Sequence, residues 1–369
     1  MKVAVLEALC DEMGMKPGRN GVNLRNLEVL CANLRDGRVR SMSRRKKYWS
    51  GIPSEYNPVG VSYKMVPCVD QMEAHGYLEQ RKGFQDPRTG KGFNTRLMAT
   101  PKLMEAMEGV TVCKHPDAPL LILKDAEKRM VSYQETGNTR AMKAQLRRYN
   151  KLLADTVVEL GGAVLGPGDK FVYRVFNQGK WSLGGRFYGA AWHTCEKELR
   201  DTILINGEPT VEPDYSSLHP CIMYALARLK MPGGDMYDLP GIEDRKYGKI
   251  ALLIMVNAEN RKAATGAFNE KFKADSDRPK AAEVFAKILD KHPPEIQNMF
   301  FSGIGLKLQG LDSRLADTII DKLTREDIPS LSVHDSFRVQ EKHGGRLIEL
   351  MNLTFRDQWG DQVTPPKVH

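Results

Sequence analysis

Apolar residues recur at helical spacing through much of the chain. That period predicts helices over residues 3–13 and 23–35, the second opened by an asparagine cap, and then over 62–75 and 101–107. Between the last two, 77–81 and 95–98 carry the pattern of strands. They flank a polar, basic loop with Arg81, Lys82, Arg88 and Lys91. Residues 110–135 read as a connector. Long helical patterns follow over 139–160 and 245–257, then a charged one over 273–292, one running through Ile319-Ile320, and a closing one over 346–359. The segment after Gly360 is expected to fray.

Two hairpin signals interrupt the helices. Residues 202–206 and 210–211 read as strands around Asn206-Gly207, a dipeptide suited to the left-handed conformations of a tight turn. Asp214 follows directly, within Glu212-Pro213-Asp214-Tyr215-Ser216-Ser217-Leu218-His219-Pro220. Residues 330–333 and 337–340 read as strands on either side of His334-Asp335, so Asp335 also sits in a tight turn. Two carboxylates at strand ends, brought together in space, make a site for two divalent cations. Paired metals about 3.5–4 Å apart carry out in-line displacement at phosphorus. Mg²⁺ suits that chemistry, with Mn²⁺ as a substitute, because hard cations take carboxylate oxygens and bind substrate phosphates. Taken singly, Asp214 also fits a helix cap and Asp335 an ordinary turn aspartate.

The stretch between them adds positive charge. Arg245, Lys249, Leu253 and Asn257 recur every four residues, which stacks them on one helix face. Two cations one turn apart, with an apolar and then an amide residue below, suit a triphosphate lying along the helix with a base beyond it. An amphipathic helix with a solvated basic edge has the same pattern. The chain as a whole is basic: 55 Lys and Arg against 46 Asp and Glu leave a net charge of +9, which favours an anionic partner. Charge concentrates in Arg44-Arg45-Lys46-Lys47 and in helix 139–160, with Arg147 and Arg148. Helix, strand, basic loop, strand and helix over 62–107 make the outline of a winged helix, although a structural helical cap with a surface hairpin reads the same way. The six cysteines form no CxxC pair and no zinc spacing, so reduced, mostly buried thiols are expected. No apolar run reaches the roughly 20 residues of a membrane span. The first residues are too short for a signal segment.

Five segments, in one order, resemble the family A single-subunit polymerases, which include bacterial DNA polymerase I and the phage and mitochondrial RNA polymerases. Gly184-Gly185-Arg186-Phe187-Tyr188-Gly189 resembles the Gly-Arg segment that touches primer–template. Asp214-Tyr215-Ser216 resembles motif A of the DNA enzymes. Arg245-x₃-Lys249-x₃-Leu253-x₃-Asn257 is similar to motif B, the fingers helix. Leu308-Gln309-Gly310 resembles the Gln-Gly segment before motif C. Val333-His334-Asp335-Ser336-Phe337 resembles motif C itself, with a Ser-Phe continuation nearer the RNA enzymes. The likeness covers roughly residues 170–360. It departs where the DNA enzymes carry a Glu that crowds the sugar, here His219, and where a motif B aromatic and a later Tyr give way to Leu253 and Asn257.

The resemblance implies an α+β fold: a right-hand polymerase palm of antiparallel sheet with helical fingers and thumb, preceded by a winged-helix-like domain. The implied divisions are 1–112 for nucleic-acid binding, 113–168 for connector and thumb-like helix, 169–242 for the first part of the palm, 243–310 for fingers and 311–369 for the second part of the palm. Asp214 and Asp335 would hold two Mg²⁺ ions and, with Lys249, carry catalysis. Arg245, Lys249, Tyr215, His219, Leu253 and Asn257 would contact the nucleotide. Arg186, Gln309, His334, Arg44, Arg45, Lys46, Lys47, Arg147 and Arg148 would contact nucleic acid. Asp312 and Asp317 are expected on a solvated helix face. The implied activity is template-directed nucleotidyl transfer by a compact DNA polymerase of phage or mobile-element type. It would use dNTPs on a DNA primer–template in the cytoplasm of a bacterial or phage-infected cell, with no membrane partner. An RNA polymerase or primase using NTPs or RNA on the same scaffold stays open, as does a DNA-binding replication initiator without catalysis.

Overall fold

The computed structural model describes every residue except Met1, Lys2, Arg88, Thr89, Lys91, Asp361, Gln362 and Thr364. Arg88 and Lys91, expected in the wing, thus lie outside the described residues. The chain is α+β with antiparallel sheets, and it divides into two compact units. No helix among the described residues is long and apolar enough to cross a membrane.

The first unit covers residues 1–122, 129–135 and 166–171. It contains α1 (Val3–Glu12), α2 (Val22–Leu34), β1 (Arg40–Met42), α3 (Lys46–Ser50), α4 (Met65–Ala74), β2 (Leu78–Arg81), β3 (Thr95–Ala99) and α5 (Pro101–Ala106). The strands form an antiparallel sheet in the order β1-β3-β2. One face of each element closes a core: Leu27, Leu30 and Leu34 of α2, Val66, Val69 and Met72 of α4, Leu78 and Leu97 of the sheet, and Leu103 of α5. The expected asparagine cap on α2 is absent. Gly21 takes that place at φ 66° with no side-chain cap, and Asn23 donates instead to the Lys16 carbonyl at 2.9 Å. Cys10, Cys31 and Cys68 are buried here and Cys221 in the second unit, while Cys113 is exposed and Cys195 half-buried. Burial pushes the Cys31 and Cys221 thiols up to about 12.

The second unit covers residues 123–128, 136–165 and 172–369, and the chain first enters it at the last residue of β4 (Leu121–Leu123). Its elements are α6 (Gly137–Asp155), β5 (Val158–Leu160), β6 (Ala163–Val164), β7 (Tyr173–Asn177), β8 (Lys180–Tyr188), α7 (Lys197–Arg200), β9 (Leu204–Ile205), β10 (Glu208–Val211), α8 (Leu218–Ala227), α9 (Arg245–Asn257), α10 (Arg261–Lys271), α11 (Ala281–Asp290), α12 (Pro294–Gln297), α13 (Gly305–Arg325), β11 (Leu331–Val333), β12 (Ser336–Gln340) and α14 (Gly344–Trp359). Six strands make an antiparallel sheet in the order β11-β12-β10-β9-β5-β6. The Asn206-Gly207 hairpin forms as expected, with both residues at positive φ. Helix 139–160 stops early. Thr156 is already extended, and the β-branched run beyond it feeds Val158 and Leu160 into the sheet with alternate burial. Helix 273–292 shrinks to α11, because Pro279 and the turn before it break the pattern.

One core group makes stability pH-dependent. His292 is buried, with its Nδ1 2.8 Å from the Tyr224 hydroxyl. Burial and then the neighbouring Lys291 hold its pKa down to about 4. The unfolded chain therefore binds the extra proton first. The native state loses nothing above the ordinary histidine value near 6.5, and loses stability as pH falls from there to about 4. The full loss is roughly 3 kcal/mol. Denaturation curves between pH 7 and 4.5 should show a smaller acid-induced drop for His292→Gln than for wild type. Equal drops would contradict this account of the histidine.

Candidate active site

The two sequence stretches centred on Asp214 and Asp335 meet at the edge of the six-stranded sheet. Val211 at the end of β10 pairs with Val339 of β12. Beyond it, the Pro213 carbonyl accepts from the Phe337 amide at 3.2 Å, and Asp214 forms an antiparallel bridge with Ser336. Ser336 directly follows Asp335, so the segment bearing Asp214 runs beside the turn bearing Asp335. That turn holds two residues, with Val333 opposite Ser336, and His334 takes a left-handed φ of 60°. Left-handed backbone is uncommon for a residue with a side chain.

Negative charge accumulates there. Asp214 is exposed at the surface, yet its carboxyl is pushed up to about 6. The causes are partial desolvation by the protein around it, then the charges of Asp335 and Glu212. Lys249 acts in the opposite direction. Glu212 is committed elsewhere: its carboxylate accepts from the Ser336 hydroxyl at 2.7 Å and meets Arg338 at 2.5 Å and Arg200 at 3.3 Å. Burial would raise Glu212, but Ser336 and Arg338 outweigh it and hold the carboxyl below its usual range. Among the described residues no salt bridge joins Asp214 or Asp335, so theirs are the negative charges left open here. Among the described residues no cluster of three or more His, Cys, Asp or Glu makes a closed metal cage. Two accessible carboxylates on adjacent segments fit Mg²⁺, which binds through one or two carboxylates and fills its other positions with water and substrate phosphate.

Helix α9 turns its basic stripe outward. Tyr247, Gly248, Ala251, Leu252, Met255 and Val256 are buried, whereas Arg245, Lys249, Leu253 and Asn257 are exposed, Leu253 by 55%. Arg245 is ion-paired to Asp235 and lies 4.8 Å from the Tyr237 ring centre. The Asn257 amide donates to the Leu253 carbonyl at 2.8 Å. Lys249 of this stripe acts electrostatically on Asp214.

The Gly-Arg and Gln-Gly segments lock β8 onto α13. Val175 faces Arg186 and Phe176 faces Gly184, which leaves Gly185 as a bulge at φ 85°. A Cβ on Gly310 would stand 2.0 Å from the Ser182 carbonyl oxygen, so only glycine lets the helix approach this closely. Arg174, 2% exposed, donates to the Gly185 carbonyl at 2.7 Å and pairs with Asp317 at 2.7 Å. Burial still holds Asp317 above its ordinary range, against the pull of Arg174. Asp312 is 1% exposed at its side chain, and one of its oxygens meets both Arg186 at 2.6 Å and His219 at 2.8 Å.

These contacts correct several expectations. Asp312 and Asp317 are packed, not solvated: Asp312 lies on the α13 face of Leu308, Leu311, Leu315 and Ile319, while Asp317 lies on the opposite side, near Gly310 and Ser313, where it meets Arg174. Arg186 is turned onto Asp312 and not outward to a phosphate, and His219 is held by the same oxygen. Tyr215 is no stacking platform: it is 2% exposed, and its hydroxyl donates to the Met351 carbonyl at 2.6 Å. Arg44 belongs to the structure of the first unit, paired with Asp70 at 2.6 Å and bonded to Gln80 at 2.8 Å. Arg148 is paired with Asp321 at 2.8 Å. Arg45, Lys46, Lys47 and Arg147 are exposed, Gln309 is half-buried, and exposed His334 meets the Tyr188 ring edge-on at 6.3 Å. Arg174 and the Glu212–Arg338–Arg200 cluster escaped sequence reasoning. A charged residue inside an apolar helical stripe was the signal available for Asp312.

The last residues are not frayed. Asp214 exchanges two backbone hydrogen bonds with His369, each 3.1 Å, and Ser216 donates to the Lys367 carbonyl at 2.8 Å. The tail thus pairs with the Asp214 segment through one antiparallel bridge, Tyr215 with Val368. Deleting residues 365–369 should lower thermal stability by a few degrees and loosen Asp214. Amide exchange at Asp214 and Ser216 would report it, and unchanged protection at both amides would count against this role.

No protein-family model matches the chain, and no curated protein is similar to it.

Proposed function

We propose that the chain is a metal-dependent nucleotidyltransferase, a compact template-directed DNA polymerase. One observation carries the reading: the bridge between Asp214 and Ser336 brings Asp214 beside Asp335, with the charge of Lys249 acting on the same carboxylate. In this reading the six-stranded sheet is the palm and α9 the fingers helix, while the first unit is a winged-helix-like module in which α4 is followed by β2 and β3 of the β1-β3-β2 sheet.

Asp214 and Asp335 would hold two Mg²⁺ ions. Bound there, the ions supply a lowered pKa for the attacking 3′-hydroxyl and neutralise the leaving pyrophosphate. Lys249 binds the triphosphate and balances charge as the pyrophosphate departs. Arg245 extends that contact one turn along α9 once released from Asp235. Arg186 and His219, fixed by Asp312, line the approach to Asp335, whose charge Arg186 feels.

Lys249→Ala tests the role of the helix. It should raise the nucleotide KM or lower kcat by about 10–100-fold, the range expected when one charge-assisted hydrogen bond is removed. Affinity for primed template should stay within about twofold. A loss confined to template binding would give the helix a different task.

A further inference from the structure

An exposed face of the first unit carries a second arrangement. Phe84 and Phe93 stand on the arm between β2 and β3 and are 54% and 42% exposed. Their rings stack 5.0 Å apart at 24°. The arm is firmly closed beneath them. The Phe93 amide donates to the Phe84 carbonyl at 2.8 Å, Gln85 bridges Gly92, and a Cβ on Gly83 would stand 2.2 Å from the Phe93 carbonyl oxygen. Aromatic surface this exposed costs solvation free energy that a partner covering it would recover.

The surroundings are cationic. Arg81 and Arg96 are directly opposite each other in the sheet, both exposed, and no salt bridge joins either to a carboxylate among the described residues. Like charges in that position destabilise a sheet. Lys82 is exposed beside them. Arg45 reaches the arm from the far side, with its guanidinium 3.3 Å from where a Cβ of Gly92 would lie. Lys46, Lys47 and the half-exposed ring of Tyr48 follow on α3. Stackable rings interleaved with unpaired cations are complementary to a strand that offers both base faces and phosphates. A duplex hides its base faces and would leave the phenyl rings uncovered.

We propose that this face binds an unpaired DNA strand, with bases stacked on Phe84 and Phe93 and phosphates on Arg81, Arg96, Lys46 and Lys47. The inference rests on the nucleic-acid part of the proposed function but not on catalysis. A fluorescein-labelled oligothymidylate of about 15 nucleotides, near the site size of such grooves, is titrated with the full chain without nucleotides or metal, beside the matching duplex. Phe84→Ala/Phe93→Ala should weaken single-strand binding about tenfold or more, with duplex affinity and the salt slope unchanged. Phe84→Leu/Phe93→Leu should weaken it similarly, because leucine keeps the apolar surface but cannot stack. Lys46→Ala/Lys47→Ala should instead lower the salt slope of log K by about 0.7 for each phosphate no longer neutralised. Circular dichroism and melting curves check that the variants are folded. Wild-type single-strand affinity in the alanine double variant would overturn the proposal, as would full affinity in the leucine variant or an equal loss on duplex. A chain that binds the strand but never extends a primer fails the polymerase reading alone. A chain that polymerises while the phenylalanine variants bind normally fails this one alone.

Discussion

Alanine at Asp214 or at Asp335 should each abolish nucleotide incorporation, by at least about 10³-fold, which is roughly 4 kcal/mol of transition-state stabilisation. Each change removes a carboxylate that would hold the ion pair, and the neighbouring Glu212 is not free to replace it. Glu212 is already bound by Ser336 and Arg338. The fold should survive. Asp214 keeps its backbone bonds to His369, and Asp335 stands in an accessible turn. Removing one of two crowded negative charges should leave metal-free stability unchanged or slightly raised, because the crowding itself pushes Asp214 upward. Melting temperature without metal and incorporation with Mg²⁺ together separate a lost site from a lost fold. Wild-type incorporation in both variants would remove these carboxylates from the chemistry.

Arg174→Met should be the most damaging change away from the carboxylates. Arg174 holds the bulge carbonyl at Gly185 and the carboxylate of Asp317, and it lies between the rings of Phe176 and Phe187. Methionine fills much of the volume but leaves the half-buried Asp317 with an apolar group in place of its cation, the Gln145 amide still donating to it at 2.8 Å. Breaking one side of a buried ion pair costs about 3–5 kcal/mol. Arg174→Met/Asp317→Leu should recover a large part of that loss, since the uncompensated charge goes with the partner. Chemical denaturation of wild type, single and double variants measures both values. A loss in the single variant below about 1 kcal/mol, the median for exposed pairs, would mean that the pair behaves as a surface contact.

The parts legible in the sequence were those fixed by local chemistry. Asn206-Gly207 specified a hairpin, and β-prone runs on either side of His334-Asp335 specified the turn that presents Asp335. The four-residue spacing from Arg245 to Asn257 placed those residues on one exposed stripe. What stayed hidden depended on distant partners. Nothing near Tyr215 in the chain says that Met351 will accept its hydroxyl. Nothing near residue 365 says that the tail will pair with Asp214. Arg186 and His219 resembled groups that reach toward a substrate, yet both converge on Asp312 from another helix. Local pattern gave the strand ends at which the carboxylates sit, and tertiary packing decided which neighbouring charges remain available.

The central claim is most directly tested by primer extension with the purified chain, a labelled primer on a longer DNA template, all four dNTPs and Mg²⁺. The account predicts extension that follows the template sequence, requires the divalent ion and stops when it is chelated. Folded chain that binds the primed template but adds no nucleotide, with Mg²⁺ or Mn²⁺ and with dNTPs or NTPs, would contradict it.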